Sequence, residues 1–197
     1  MAERLILKIL IAFFALILTM SSYAMVLPSS CETAIKRAFN ARATWVMERT
    51  LPGSVKSLVS TGIVSFVVRK GICWQVCHPF CESITMSTNE MIFADEDSRR
   101  VKPLSQLPHY AELQKACDSF YYGDTKAFDD VFDASVAFSS NGLWTVTLSP
   151  SVRAMRRLIK SVELSGRDTI EKALIYTGDG GKSLIKFQEI TSNISSN

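Results

Sequence analysis

From Trp45 onward, apolar residues recur at every second position, and short clusters of turn-forming residues interrupt the pattern. Alternation of this kind puts the apolar side chains on one face of an extended strand, whereas a helix needs a period of about 3.6. The turns are brief, and neighbouring parallel strands need a crossover of a dozen or more residues, so the strands must run antiparallel. The densest stretch, residues 58–68 (Leu-Val-Ser-Thr-Gly-Ile-Val-Ser-Phe-Val-Val), is apolar on both faces. Val64, Phe66 and Val68 fall on one face, and Val59, Ile63 and Val67 on the other. Such a strand expects cover on both sides, or a cavity on one.

The same reading places strands over 45–51, 58–68, 72–77, 81–87 and 91–94, followed by a polar turn over 95–100. Further strands fall at 132–138, 144–148, 159–164, 169–177 and 183–190. Pro52-Gly53, Lys70-Gly71, His78-Pro79, Asn141-Gly142, Ser165-Gly166 and Gly178-Asp179-Gly180-Gly181 supply the turns. Helical spacing is found over 31–43, where Ile35 and Phe39 share a face, and over 105–122, where Leu107, Tyr110, Leu113, Cys117 and Phe120 form a stripe. Shorter helices are expected over 126–131 and 152–158. The sum is nine or ten antiparallel strands in series, with helices before and between them. We expect a mainly β (α+β) fold: an unclosed antiparallel β-barrel or half-barrel whose helices lid an apolar cavity.

The N-terminus reads differently. Arg4 and Lys8 precede an apolar stretch reaching Met20, with small residues at Ser22 and Ala24. This is the order of a cleaved signal peptide over residues 1–24, an uncleaved anchor being the alternative. Residues 25–197 then form a single domain in the periplasm, an oxidising compartment. With 47% hydrophobic and 21% charged residues the chain is not disordered. A net charge of +3 without a basic run argues against a nucleic-acid partner.

Residues that could carry chemistry are sparse. The two histidines, His78 and His109, assemble no nucleophile–base–acid set. The glycine-rich segment 178–181 followed by Lys182 and Ser183 has the wrong spacing for a phosphate loop and reads as a hairpin turn. We expect no catalytic residue, metal or cofactor. The five cysteines cannot all pair within one chain. Cys73, Cys77 and His78 stand one residue too far apart for the usual haem-attachment motif, and a strict Cys-x-x-Cys redox or metal motif is absent. A structural reading is preferred: a hairpin at His78-Pro79-Phe80 sets Cys77 opposite Cys81, within disulfide reach, and Cys31 could pair with Cys117. Cys73 is then left free.

Residues 62–79 (Gly-Ile-Val-Ser-Phe-Val-Val-Arg-Lys-Gly-Ile-Cys-Trp-Gln-Val-Cys-His-Pro) resemble the opening hairpin of the periplasmic LolA-like outer-membrane lipoprotein carriers. The segment from Phe120 to Asp124 with Phe132, the run Trp144-Thr-Val-Thr-Leu-Ser-Pro150, and residues 159–166 resemble the family's later strands. Lys70 stands where the better-known carriers have proline, and the cysteines are not part of the family pattern, which points to a specialised paralogue. The resemblance implies a non-enzymatic, monomeric carrier that holds lipoprotein acyl chains or a related lipid. It would receive cargo from an inner-membrane release complex and pass it to an outer-membrane acceptor. Arg69 matches the arginine that ties the lid to the barrel. Phe66 and Trp74 match positions on the same strands, and Phe93 and Trp144 join them as expected cavity residues. The alternatives are a lipid-sensing regulator on the same fold and a thiol oxidoreductase built on Cys73 and Cys77.

Overall fold

The computed structural model describes residues 41–67, 71–106, 132–151 and 153–192. They form eleven strands: β1 (Ala41–Thr50), β2 (Ser57–Val67), β3 (Gly71–His78), β4 (Glu82–Met86), β5 (Glu90–Asp95), β6 (Arg99–Pro103), β7 (Phe132–Phe138), β8 (Trp144–Pro150), β9 (Ile159–Gly166), β10 (Ile170–Thr177) and β11 (Lys182–Ser192). A single 3-10 turn, Leu104–Gln106, follows β6, and one four-residue helix, α1 (Arg153–Arg156), lies between β8 and β9.

All eleven strands join one sheet in the order β6-β5-β4-β3-β2-β1-β11-β10-β9-β8-β7. Every pairing in it is antiparallel. The first strand sits at the centre because β1 pairs with β2 on one side and β11 on the other. Two wings run outward from it. Their outer strands, β6 and β7, are not paired with each other, so the sheet stays open.

The alternation works as the sequence pattern demands. Trp45 and Met47 on β1, Val64 and Phe66 on β2, Ile72, Trp74 and Val76 on β3, and Ile84 and Met86 on β4 are buried. The other wing buries Trp144, Val146 and Leu148 on β8, Val162 and Leu164 on β9, and Ala173 and Ile175 on β10. The register puts these side chains opposite one another, so the buried residues form a continuous apolar face. One row runs Val64, Trp74, Ile84, Phe93 across β2 to β5, and another runs Leu148, Val162, Ile175 across β8 to β10. Burial of each large apolar side chain contributes about 1.5–3 kcal/mol.

The strand expectations are met except in detail. β2 is not buried on both faces: Gly62, Val64 and Phe66 are buried, but Ile63 and Val67 are only half-covered and Leu58 and Val59 are exposed. The expected polar turn over 95–100 shrinks to residues 96–98, because Arg99–Pro103 pairs with β5 as an extra strand. Arg-Arg-Val-Lys-Pro carries no apolar alternation, since its strand lies at the sheet edge and is largely exposed. Charges and a proline on an edge strand block further pairing there. Residues 41–43, expected to end a helix, open β1 instead. Of the helix expected over 105–122, Ser105 and Gln106 belong to the 3-10 turn. The rest of both helices, the helix over 126–131 and the segment 1–24 lie outside the described residues. So do the helices expected to lid a cavity. The glycine segment 178–181 is a hairpin turn, closed by Thr177 N donating to Gly181 O at 2.9 Å and by Gly180 at φ 91°.

Candidate functional site: the apolar face and its two tryptophan–glycine pairs

The chemistry of this face starts from two glycines. Trp45 on β1 stands directly opposite Gly62 on β2, and Trp144 on β8 directly opposite Gly166 on β9. With no side chain at position 62, the Trp45 indole lies across β2 and stacks on Trp74 of β3, ring centroids 4.5 Å apart and planes at 22°. A Cβ at Gly62 would stand 2.5 Å from the Trp45 ring and 1.9 Å from the Gln75 carbonyl oxygen. At the second pair a Cβ on Gly166 would stand 3.0 Å from the Trp144 ring and 1.9 Å from the Thr169 carbonyl oxygen.

The two tryptophans differ in one respect. Trp144 Nε1 donates to the Arg167 carbonyl oxygen at 2.7 Å. Trp45 Nε1 is buried and has no hydrogen-bond partner among the described residues.

Of the cavity residues expected from the sequence, Phe66 (2% exposed), Trp74 (1%), Phe93 (6%) and Trp144 (0%) all lie on the buried face. Trp74 and Phe93 share a row through Ile84, and Phe66 lies one row away, opposite Ile72. Trp144 belongs to the other wing, with β2, β1, β11, β10 and β9 between its strand and β3. Arg69 lies outside the described residues. Sequence reasoning missed Trp45 and Gly62 as site residues. The signal was present: a tryptophan in one strand and a glycine inside the next is the pattern of a side chain passing over its neighbour.

The cysteine expectation is corrected in part. The β3–β4 register, with Val76 opposite Glu82, leads into the turn with Cys77 facing Cys81, as expected. The two are nevertheless free thiols, not a disulfide. Cys81 lies in the turn outside β4, and its Sγ approaches the Cys77 carbonyl oxygen at 3.7 Å rather than the partner sulfur. Cys73 is free and half-buried. Cys31 and Cys117 fall outside the described residues. Cys73 and Cys77 are four residues apart on one strand, about 13 Å, far beyond the separation at which two thiols exchange as a pair. Among the described residues no group of three or more histidine, cysteine, aspartate or glutamate side chains gathers as a metal site.

No charged side chain is buried among the described residues. Lys102 on β6 places its ammonium 5.3 Å from the Phe93 ring centre. Glu82 on β4 faces Asp95 on β5 directly. Asp95 is held ionised, its pKa lowered first by the Ser98 hydroxyl, which donates to it at 2.9 Å, and by the Asp97 and Ser98 backbone N–H groups. Partial burial, then the Asp95 charge, push the Glu82 carboxyl above its usual range. A folded-state pKa raised this way favours the fold below the unfolded-state pKa and loses that contribution as pH rises through the folded value. Glu82→Gln should therefore raise the melting temperature at pH 7 by about 1–2 °C, the worth of one screened like-charge cross-strand pair. The gain should vanish below about pH 4, where Glu82 is protonated in both states; thermal unfolding followed by circular dichroism at both pH values checks it. A hollow beside this pair, lined by Ile84, Phe93 and Arg100 among others, measures about 20 Å³, room for a water and not for an acyl chain.

The arrangement is built mainly from apolar side chains. What it offers is a wide apolar surface on an open sheet, with polar atoms at its margins. Solved structures of similar outline include a LolA superfamily protein from Nitrosomonas europaea (TM-score 0.45, 8% identity, covering 86% of this chain and 96% of that one). A putative outer membrane lipoprotein-sorting protein domain from Vibrio parahaemolyticus scores 0.44 at 9% identity, covering 85% of this chain and 92% of that one. The MucA/MucB complex of Pseudomonas aeruginosa scores 0.43 at 9% identity, covering 85% of this chain and 57% of that one. No curated protein matches the chain. The sequence of residues 66–179, from the end of β2 to the β10–β11 turn, matches the family described as outer membrane lipoprotein carrier protein LolA-like, and the chain belongs to that family.

Proposed function

We propose that this protein is a periplasmic carrier that holds the acyl chains of a lipoprotein, or of a related lipid, against the apolar face and delivers them toward the outer membrane. The observation that carries this reading is the continuous apolar face of an unclosed sheet in a chain of the LolA-like family. Each methylene buried there contributes about 0.8 kcal/mol, so a long acyl chain is held without covalent chemistry. An inner-membrane release complex supplies the cargo in this scheme, and an outer-membrane acceptor takes it. Residues 1–24 would direct export and be removed.

A transfer assay tests the reading. Protein loaded with a triacylated lipopeptide is mixed with acceptor vesicles of outer-membrane lipid bearing the candidate acceptor, and lipopeptide is followed into the vesicles. Release that depends on the acceptor supports carriage, and retention on the protein under all conditions contradicts it. The free thiols take no part in this scheme. A Cys73→Ser, Cys77→Ser double variant should load and release lipopeptide within about twofold of the parent, since neither sulfur lies on the buried face. Loss of loading in that variant would favour the thiol chemistry.

A further inference from the structure

Trp45 Nε1 is the one polar side-chain atom among the described residues that is buried without a hydrogen-bond partner. It lies at the middle strand of the sheet, on the buried face, at the edge of the Trp45–Trp74 stack. Its position is set by packing: the absent side chain at Gly62 lets the indole cross β2, and Cε2, the ring carbon bonded to Nε1, lies over that glycine. Trp144 provides an internal comparison. It has the same tryptophan-over-glycine geometry on the other wing, and there the fold supplies an acceptor, the Arg167 carbonyl. At Trp45 no described residue supplies one. A buried N–H left unpaired costs stability, and phenylalanine would fill most of the same space with no N–H to pair.

We propose that Trp45 Nε1 is the polar recognition point of the cargo site, and that its partner is an acceptor oxygen carried on an acyl chain, the carbonyl of an ester. The inference rests on the carrier reading above and deepens it. The apolar face holds hydrocarbon of any kind. The indole N–H selects hydrocarbon that ends in an acyl group, and it fixes how far along the face the chain lies. An ester carbonyl accepts a hydrogen bond and carries no charge, so it enters an apolar site at far lower cost than a carboxylate.

The test uses the full chain and two labelled probes delivered from cyclodextrin, methyl palmitate and octadecane, similar in length and differing in the ester. The parent protein should bind methyl palmitate about 5–10-fold more tightly than octadecane, the worth of one net hydrogen bond. Trp45→Phe should lose the ester preference and bind methyl palmitate and octadecane with similar affinity. An ester preference that survives in Trp45→Phe overturns the assignment while leaving the carrier reading intact. Binding of neither probe by the parent overturns both. A measurement without substitution stands beside these. In the unaltered protein the Trp45 indole N–H resonance should move downfield on adding methyl palmitate and stay in place on adding octadecane. A resonance indifferent to both, with methyl palmitate bound, overturns the assignment.

Discussion

Gly62→Ala is expected to lower the melting temperature by roughly 6–12 °C, corresponding to about 3 kcal/mol for a domain of this size. In an ordinary strand the same change is neutral or helpful, because glycine weakens strands. The sign is reversed here by space. The new Cβ would meet the Gln75 carbonyl oxygen at 1.9 Å and the Trp45 ring at 2.5 and 2.8 Å. The ring could tilt, at the expense of its stack on Trp74. The carbonyl belongs to β3, so relieving that contact means separating β2 from β3 where Gly62 pairs with Val76. Gly166→Ala should behave alike, since its Cβ would stand 1.9 Å from the Thr169 oxygen. Calorimetry on the two variants checks both, and an unchanged melting temperature for Gly62→Ala would refute the Trp45 placement.

Trp144→Ala should cost about 3–5 kcal/mol, the usual range for emptying a large buried aromatic site. Trp144 is fully buried between Gly166 and Phe138, with Val146 next along the same face. Trp144→Phe should recover most of that loss, because it refills much of the space and gives up only the 2.7 Å bond to Arg167 O. Arg167 is exposed, so its freed carbonyl turns to water rather than staying unpaired. Urea unfolding measures both as shifts of the midpoint with an unchanged slope. A Trp144→Ala midpoint equal to the parent's would mean that the β8–β9 wing is not packed as described. Against a typical total stability of about 5–15 kcal/mol, either loss is large enough to read without ambiguity.

The strands were legible because alternation is local. Phe132–Phe138 could be placed to the residue, and the remaining expected strands to within a few positions, from apolar spacing and turn pairs alone. β6 was not, because an edge strand buries little and so leaves no apolar pattern to read. The open sheet was anticipated from the meander, but the central place of β1 was not. That place depends on β1 pairing with β11, more than 130 residues away in the sequence, and local pattern holds no record of such a contact. The candidate site divides the same way. Phe66, Trp74, Phe93 and Trp144 could be assigned to the buried face because each sits at an inward position of its own strand. The placement of Trp45 stayed hidden, since it depends on what Gly62 in the next strand lacks and on the absence of an acceptor for its N–H among the described residues.

The central claim is that the apolar face binds lipid. It is tested most directly by extracting protein purified from the periplasm of its producing cells and identifying the extract by mass spectrometry. The account predicts an acyl-bearing lipid or lipopeptide in near-stoichiometric amount, displaced by added methyl palmitate. A protein that emerges free of lipid, and takes up none when offered triacylated lipopeptide, would contradict it.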